Sequence, residues 1–241
     1  MDRIHGVLFD YGGTIDSNGV HWAEVIWKAY QSENVPVTKE MFREAYIHGE
    51  RTLGKNPLVK PHHTFLDMLN LKIDIQMEWL NSYPNDGLNF NCKGSKGFTQ
   101  SAQRIADFCY AYARSSVERA RPVLERITDR FPTALVSNFY GNIATVLQDF
   151  GIDRFFSIII ESAVVGVRKP DPQIFLLGVE ALRIRADEVV VIGDSYDKDI
   201  LPAKTAGCRT IWLKNTGWSE YTGIETADLV ISDFAELSKW F

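Results

Sequence analysis

Asp10 stands at the end of the apolar run Val7-Leu8-Phe9 and immediately before Tyr11-Gly12-Gly13-Thr14. A carboxylate at that boundary is a candidate nucleophile, because the last side chain of a buried parallel strand projects into the crevice where open α/β sheets bind ligands. The two glycines that follow let backbone approach a ligand closely. A second acid two residues after such a nucleophile would serve as proton donor, and that place holds Gly12. Polar residues recur at the ends of other apolar runs: Ser137-Asn138 after Val136, and Gly193-Asp194-Ser195 after Ile192, with Asp199 a short way on. Lys169 lies in Arg168-Lys169-Pro170-Asp171-Pro172, before a helix that Asp171 and Pro172 would start as N-cap and first-turn residues. Singly, each is ordinary turn or cap chemistry. They converge on one site only if the apolar runs are strands of one sheet.

The pattern around them supports that condition. From about Arg121 onward, short apolar runs (Thr133 to Val136, Phe155 to Ile160, Val189 to Ile192, Thr210 to Leu213, and Leu229 to Ile231 as a last strand) alternate with helical stretches at Ile143 to Phe150 and Gln173 to Leu182. Continuous apolar strands separated by helices predict a doubly wound parallel sheet covered on both faces, an α/β fold to which Val7 to Phe9 also belongs. The middle of the chain reads differently. Trp22, Val25, Ile26 and Ala29 recur at helical spacing, as do Phe65, Met68 and Leu69, then Ile105, Phe108, Cys109 and Tyr112, which predicts amphipathic helices inserted after the first strand. Asn81 to Gly97, rich in Asn, Gly, Ser, Lys and Pro, reads as an irregular loop. Trp22, Trp27 and Trp79 read as packing residues, and the adjacent pair His62-His63 cannot share a helix face.

Composition excludes several classes. A chain of 241 residues with formal net charge -5 and no Lys/Arg cluster lacks the basic patch of nucleic-acid binders. Three cysteines, Cys92, Cys109 and Cys208, are scattered and without CxxC spacing, so neither a disulfide framework nor a zinc site is indicated and a reducing cytoplasm is expected. The apolar stretch from Ile4 to Phe9 is too short for a signal peptide, and Phe155 to Ile160 is too short to span a bilayer.

With its motifs in this order, the chain resembles the haloacid dehalogenase superfamily. Asp10-Tyr11-Gly12-Gly13-Thr14 is similar to the first motif, Ser137 to the second, Lys169-Pro170-Asp171-Pro172 to the third, and Gly193-Asp194-Ser195 with Asp199 to the fourth. The resemblance implies a Rossmann-like core, 1–15 plus 120–241, with a helical cap at 16–119. It implies that Asp10 attacks phosphorus and forms an aspartyl-phosphate. It further implies Mg²⁺, held by Asp10, the Gly12 carbonyl and Asp194, with Asp199 binding through water or orienting Asp194. Lys169 and Ser137 would be the other catalytic residues, and Gly13, Thr14, Ser137, Asn138 and Lys169 would contact the phosphoryl group.

One departure narrows the activity. Phosphatases of the family place a second Asp at the Gly12 position, which protonates the leaving alkoxide; its loss removes general acid-base catalysis worth about 10² to 10⁴ in rate. Haloacid dehalogenases also lack that acid, but they lack the fourth-motif Asp too, so Asp194 argues against dehalogenation. Phosphonoacetaldehyde hydrolases resemble the first motif more closely and need a cap lysine, for which Lys28, Lys55 and Lys60 are available. Three function classes follow: a Mg²⁺-dependent phosphohydrolase whose substrate has a good leaving group or whose acid comes from Asp16, the cap or the substrate; a hydrolase of a C–P or other bond; or a noncatalytic phosphate- or partner-binding protein. The expected partner is a small phosphorylated or phosphonate-type metabolite, with no nucleic acid and no membrane, and the protein is expected to be a monomer or homodimer.

Overall fold

The structure, a computed structural model, describes residues 3–82, 96–215 and 226–241. Its sheet holds six strands: β1 (Gly6–Phe9), β2 (Thr133–Ser137), β3 (Ile158–Glu161), β4 (Val189–Gly193), β5 (Arg209–Leu213) and β6 (Leu229–Ile231). They lie in the order β3-β2-β1-β4-β5-β6 and every pairing is parallel. Both faces are covered, which is why the strands read as continuous apolar runs rather than alternating ones. On one face Leu8, Val136 and Val191 meet Ile174, Phe175 and Val179 of helix α7 (Gln173–Leu182). On the other, Val7, Phe9 and Ile192 meet Val123, Leu124 and Ile127 together with Phe234 and Phe241.

Among the described residues, four helices lie between β1 and β2: α1 (Trp22–Ser32), α2 (Lys39–Lys55), α3 (Phe65–Ser82) and α4 (Lys96–Thr128). Helix α2 is capped by Thr38, whose hydroxyl accepts the Met41 N–H, and it buries Met41, Phe42, Ala45, Tyr46, Gly49 and Leu53 along one stripe. Helix α4 runs 33 residues, about 50 Å at 1.5 Å per residue, so its later turns cover the sheet while its earlier turns pack with the other inserted helices. Position 119/120 falls within it, beside Pro122. The apolar interior of the insertion is continuous with that of the sheet face. Tyr11, Phe65 and Phe150 join the two, with ring centroids 6.4 Å apart for Tyr11–Phe65 and 5.5 Å for Phe65–Phe150.

Among the described residues the other α-helices are α5 (Ile143–Asp149), α6 (Ser162–Val165) and α8 (Leu201–Thr205), with a π-turn over Tyr196–Ile200. The α/β class and the helical insertion after the first strand are as the sequence implies. Two local readings shift. The run from Phe155 to Ile160 begins in a 3₁₀ turn at Asp153–Phe155, and its strand starts only at Ile158. The loop expected over Asn81 to Gly97 lies outside the described residues at 83–95, while its ends belong to α3 and α4. Among the described residues, no helix is long and apolar enough to cross a membrane.

Candidate active site

The parallel register brings the carboxyl ends of the strands to one edge. Phe9 pairs with Leu135 on one side and with Ile192 on the other, and the Asp10 N–H continues the ladder to the Ile192 carbonyl at 2.9 Å. Asp10, Ser137 and Asp194 therefore emerge side by side. β1 lies between β2 and β4, where the chain turns to opposite sides of the sheet, and that switch point is where doubly wound folds open a ligand crevice.

Lys169 ties the cluster together. Its Nζ lies 2.6 Å from Asp10 Oδ1 and 2.6 Å from Asp199 Oδ1, and all three side chains are buried. Burial works to lower the lysine's pKa, yet the two carboxylates outweigh it and raise it, so the ammonium form is held. Asn138 braces this lysine: its Nδ2 donates to the Lys169 carbonyl at 3.0 Å and its Oδ1 accepts the Lys169 N–H at 2.9 Å. Asp199 Oδ2 accepts the Ser195 N–H at 3.0 Å, which closes the π-turn and fixes the strand end carrying Asp194. The Thr14 hydroxyl lies 3.0 Å from Asp10 Oδ2 and 3.1 Å from Asp194 Oδ1. Ser137 is buried at the end of β2, and the loop after it is held by Glu161, whose Oε1 accepts the Gly141 N–H.

Gly13 shows why a side chain is excluded here. Its φ is +102°, and a Cβ would fall 2.4 Å from Asp194 Oδ1. Gly12 differs: its φ is not positive, and a Cβ there meets nothing within 4 Å. The missing acid thus leaves open space, not a refilled one.

Asp10, Asp194 and Asp199 each offer an oxygen within 4.8 Å of the others. Burial pushes Asp10 up to about 6 against the pull of Lys169, with Asp199 raising it further, and burial pushes Asp194 well above its ordinary value, with Asp10 and Asp199 adding to it. Two buried carboxylates and the half-buried Asp194 facing one ammonium are short of positive charge, and an all-oxygen set of this kind suits a hard divalent cation.

Asp16 lies behind the loop. Its Oδ1 accepts the Gly13 N–H at 2.7 Å and its Oδ2 accepts the Trp22 Nε1–H at 2.9 Å, while burial pushes its pKa up to about 7. Trp22 is accordingly more than packing: it ties the first turn of α1 to the loop after β1. Trp27 and Trp79 do pack, against Phe42 and His48.

Above the cluster lies a cavity of about 1330 Å³, walled on the inserted side by His21, Trp22, Lys39, Tyr46, Glu50 and Lys72. Lys72 Nζ is 2.6 Å from Glu50 Oε1, and the Tyr140 hydroxyl donates to Glu50 Oε2 at 2.7 Å. Lys39 pairs with Glu24 at 2.8 Å. His21 accepts the Ala23 N–H through Nδ1, and burial, with Lys198 adding to it, lowers its pKa to about 4, so the ring is neutral. Lys28, Lys55 and Lys60 are exposed and do not line this cavity. Sequence reading missed Glu50 and Lys72, although the signal was present. Lys72 sits on the apolar stripe of α3 beside Met68, Leu69 and Ile73, and Glu50 adjoins the stripe of α2.

Known proteins were then compared with this geometry. Residues 4–207 match the family model of haloacid dehalogenase-like hydrolases. A phosphoglycolate phosphatase of Pectobacterium atrosepticum is 26% identical over 98% of this chain and 92% of its own length, and one of Yersinia pestis is 37% identical over 97% and 91%. A glyceraldehyde 3-phosphate phosphatase of Pyrococcus furiosus is 34% identical over 36% of this chain, spanning 37% of that protein. Among solved structures, Bacillus subtilis YfnB bound to magnesium aligns over 99% of this chain and 98% of its own, with a TM-score of 0.60 at 20% identity.

Proposed function

Since this chain belongs to the haloacid dehalogenase-like hydrolases, we propose that it is a Mg²⁺-dependent phosphohydrolase that uses Asp10 as nucleophile and acts on phosphate esters or anhydrides with good leaving groups. The observation that carries the reading is the Lys169 ammonium bridging Asp10 and Asp199, with Asp194 alongside, next to an open position at Gly12. The full-length likeness to phosphoglycolate phosphatases supports a small phosphorylated substrate.

An oxygen of Asp10 attacks phosphorus, the bond from phosphorus to the leaving oxygen breaks, and the leaving group departs with the electron pair. Lys169 keeps that carboxylate oriented and offsets its charge, and the Ser137 hydroxyl with nearby backbone N–H groups holds phosphoryl oxygens. Asp10, the Gly12 carbonyl and Asp194 would hold Mg²⁺, with Asp199 steering Lys169 and the Asp194 loop; when bound, the cation neutralises the approach of two anions. Water then attacks the aspartyl-phosphate, which returns the Asp10 carboxylate and releases phosphate. Asp16 has both oxygens committed to Gly13 and Trp22, so it serves the loop's shape. With no acid at position 12, a leaving group must depart as a stable anion, which favours acyl and aryl phosphates over alkyl ones. The helices at 16–119 act as the cap over this chamber. The C–P reading is weaker, because the lysines facing the chamber from the insertion, Lys39 and Lys72, are paired with Glu24 and Glu50.

A hydrolysis screen tests this. With Mg²⁺, acetyl phosphate and aryl phosphates should turn over well ahead of alkyl phosphates, EDTA should stop the reaction, and Asp10→Asn should abolish it. Equal turnover of alkyl esters, or activity surviving in Asp10→Asn, overturns the reading.

A further inference from the structure

Next to the nucleophile's cavity lies an outer chamber of about 850 Å³, and His21, Tyr46, Glu50, Asn138, Tyr140 and Lys198 line both. The two spaces differ in charge. The inner one mixes carboxylates, among them Asp10, Asp194 and Asp199, with cations such as Lys39, Lys72 and Lys169, whereas the outer one is lined by Arg51, Lys55, Arg168 and Lys198, the last shared with the inner space, with Glu50 as the one carboxylate. Glu50 contributes little negative field, because Lys72 and the Tyr140 hydroxyl already hold its two oxygens. His21 is neutral there. None of the four outer cations is ion-paired among the described residues. In a chain of net charge -5, four unpaired cations around one concave space form a local excess that the composition does not predict. A cleft lined by one sign of charge focuses its field on a ligand of the other. Between the two ends the wall is apolar, with Ile47, Leu53, Pro57 and Val59.

We propose that the outer chamber is a second anion site, which selects phosphomonoesters whose carbon skeleton ends in a further phosphate or carboxylate. The proposal rests on the phosphohydrolase reading above: the scissile phosphate sits at Asp10, the skeleton passes Tyr140 along the apolar wall, and the distal anion meets Arg51, Lys55, Arg168 and Lys198. The inserted helices would then contribute substrate choice through charge, and α2 in particular through Arg51 and Lys55 near its C-terminal end.

The double variant Arg51→Gln/Lys55→Gln tests the site, since both side chains are exposed and far in sequence from the reacting groups. Steady-state kinetics would compare a linear alkanediol bisphosphate with the matched monophosphate and with p-nitrophenyl phosphate. For wild type, the bisphosphate should have the lowest KM; the variant should raise that KM by about tenfold and leave the p-nitrophenyl phosphate KM within about twofold, and added salt should reproduce the effect. Equal KM values for the bisphosphate and monophosphate in wild type, or a variant that shifts all three substrates alike, overturns the site. Should no ester turn over, the phosphohydrolase reading fails separately, and calorimetry still decides this one: bisphosphate binding that is tighter than monophosphate binding and weakened in the variant supports it, and equal binding overturns it. Inorganic pyrophosphate distinguishes the source of the anion. Competitive inhibition lost in the variant fits a substrate tail, whereas noncompetitive inhibition lost in the variant means a free anion occupies the chamber and overturns selection of the substrate.

Discussion

Replacing Gly12 by Asp asks whether the absent acid is the whole reason for a leaving-group preference. The backbone accepts the change: φ at Gly12 is not positive, and a Cβ meets nothing within 4 Å. A carboxyl group there would have to be protonated to act on a departing alkoxide. Gly12 is exposed, so burial does not hold a proton there; the like charge of Asp10, two residues away, is what favours the protonated form. General acid catalysis is worth about 10² to 10⁴, which at 1.36 kcal/mol per decade is about 3 to 5 kcal/mol of barrier. The gain should fall on esters whose leaving group needs a proton and should shrink as leaving-group pKa falls. The assay is kcat/KM across a series from alkyl to nitrophenyl phosphates, each with saturating Mg²⁺. Wild type should show a steep dependence on leaving-group pKa and Gly12→Asp a shallow one, with the alkyl esters gaining about 10² or more. Gly12→Asn, equal in size and without a proton to give, should gain nothing. A folded, Mg²⁺-binding Gly12→Asp with no alkyl gain would refute the reasoning, as would an equal gain in Gly12→Asn.

Three further outcomes follow from the geometry. Asp16 has a folded pKa of about 7 against 3.8 unfolded, so the native state retains a proton through the interval where the unfolded chain has lost it; its share makes stability fall as pH rises from about 4 to 7 by about 1.4 kcal/mol per unit, beside the contributions of Asp10 and Asp194, and Asp16→Asn should reduce the slope by that share in urea titrations of the metal-free protein. Glu50→Gln leaves the Lys72 ammonium buried without its counter-charge and should destabilise by about 3 to 5 kcal/mol, most of it recovered in Glu50→Gln/Lys72→Met; a double variant no more stable than the single one would show that the pair is not the source. Gly13→Ala sets a Cβ against Asp194 at 2.4 Å and at a φ of +102°, so Mg²⁺ affinity measured by calorimetry should drop along with about 1 to 3 kcal/mol of stability.

The fold was readable because its signals are local and repeated. A buried parallel strand announces itself as a mostly apolar run, and β2, β4, β5 and β6 fall within one residue of those runs, with Thr133 and Thr210 as buried polar positions within them. Helix α7 also matches its run at both ends, but its N-cap is Pro172 and not the expected Asp171, whose Oδ1 accepts the Gln173 N–H at 2.9 Å from one residue further out. β3 was harder, since Phe155 and Phe156 are apolar for a different reason: they fill the core from a 3₁₀ turn. Helix α2 went unread although its stripe is regular. The stripe is broken in composition by Gly49 and lengthened by the half-polar Tyr46, so an apolar count sees little of it.

The chemical groups divide the same way. Those at strand ends, Asp10, Ser137 and Asp194, are placed by register and so could be inferred from the chain alone. Lys169 needed more, because its reach to Asp10 and Asp199 depends on Asn138 holding its backbone, a contact between loops that no periodicity encodes. Least legible were Glu50, Arg51, Lys55 and Lys72, which line the two cavities from α2 and α3. A charged residue on or beside an apolar stripe is the one trace they leave, and it has two opposite origins: a solvated edge or a buried pair. Burial decides between them. Lys72 is only 7% exposed and keeps its charge beside Glu50, and keeping a charge there is unfavourable unless it is paired and put to use. Asp16 joins these two levels. One oxygen holds the loop that strand register places and the other holds Trp22 of the inserted helices, so the nucleophile loop and the chamber wall share a single buried carboxylate.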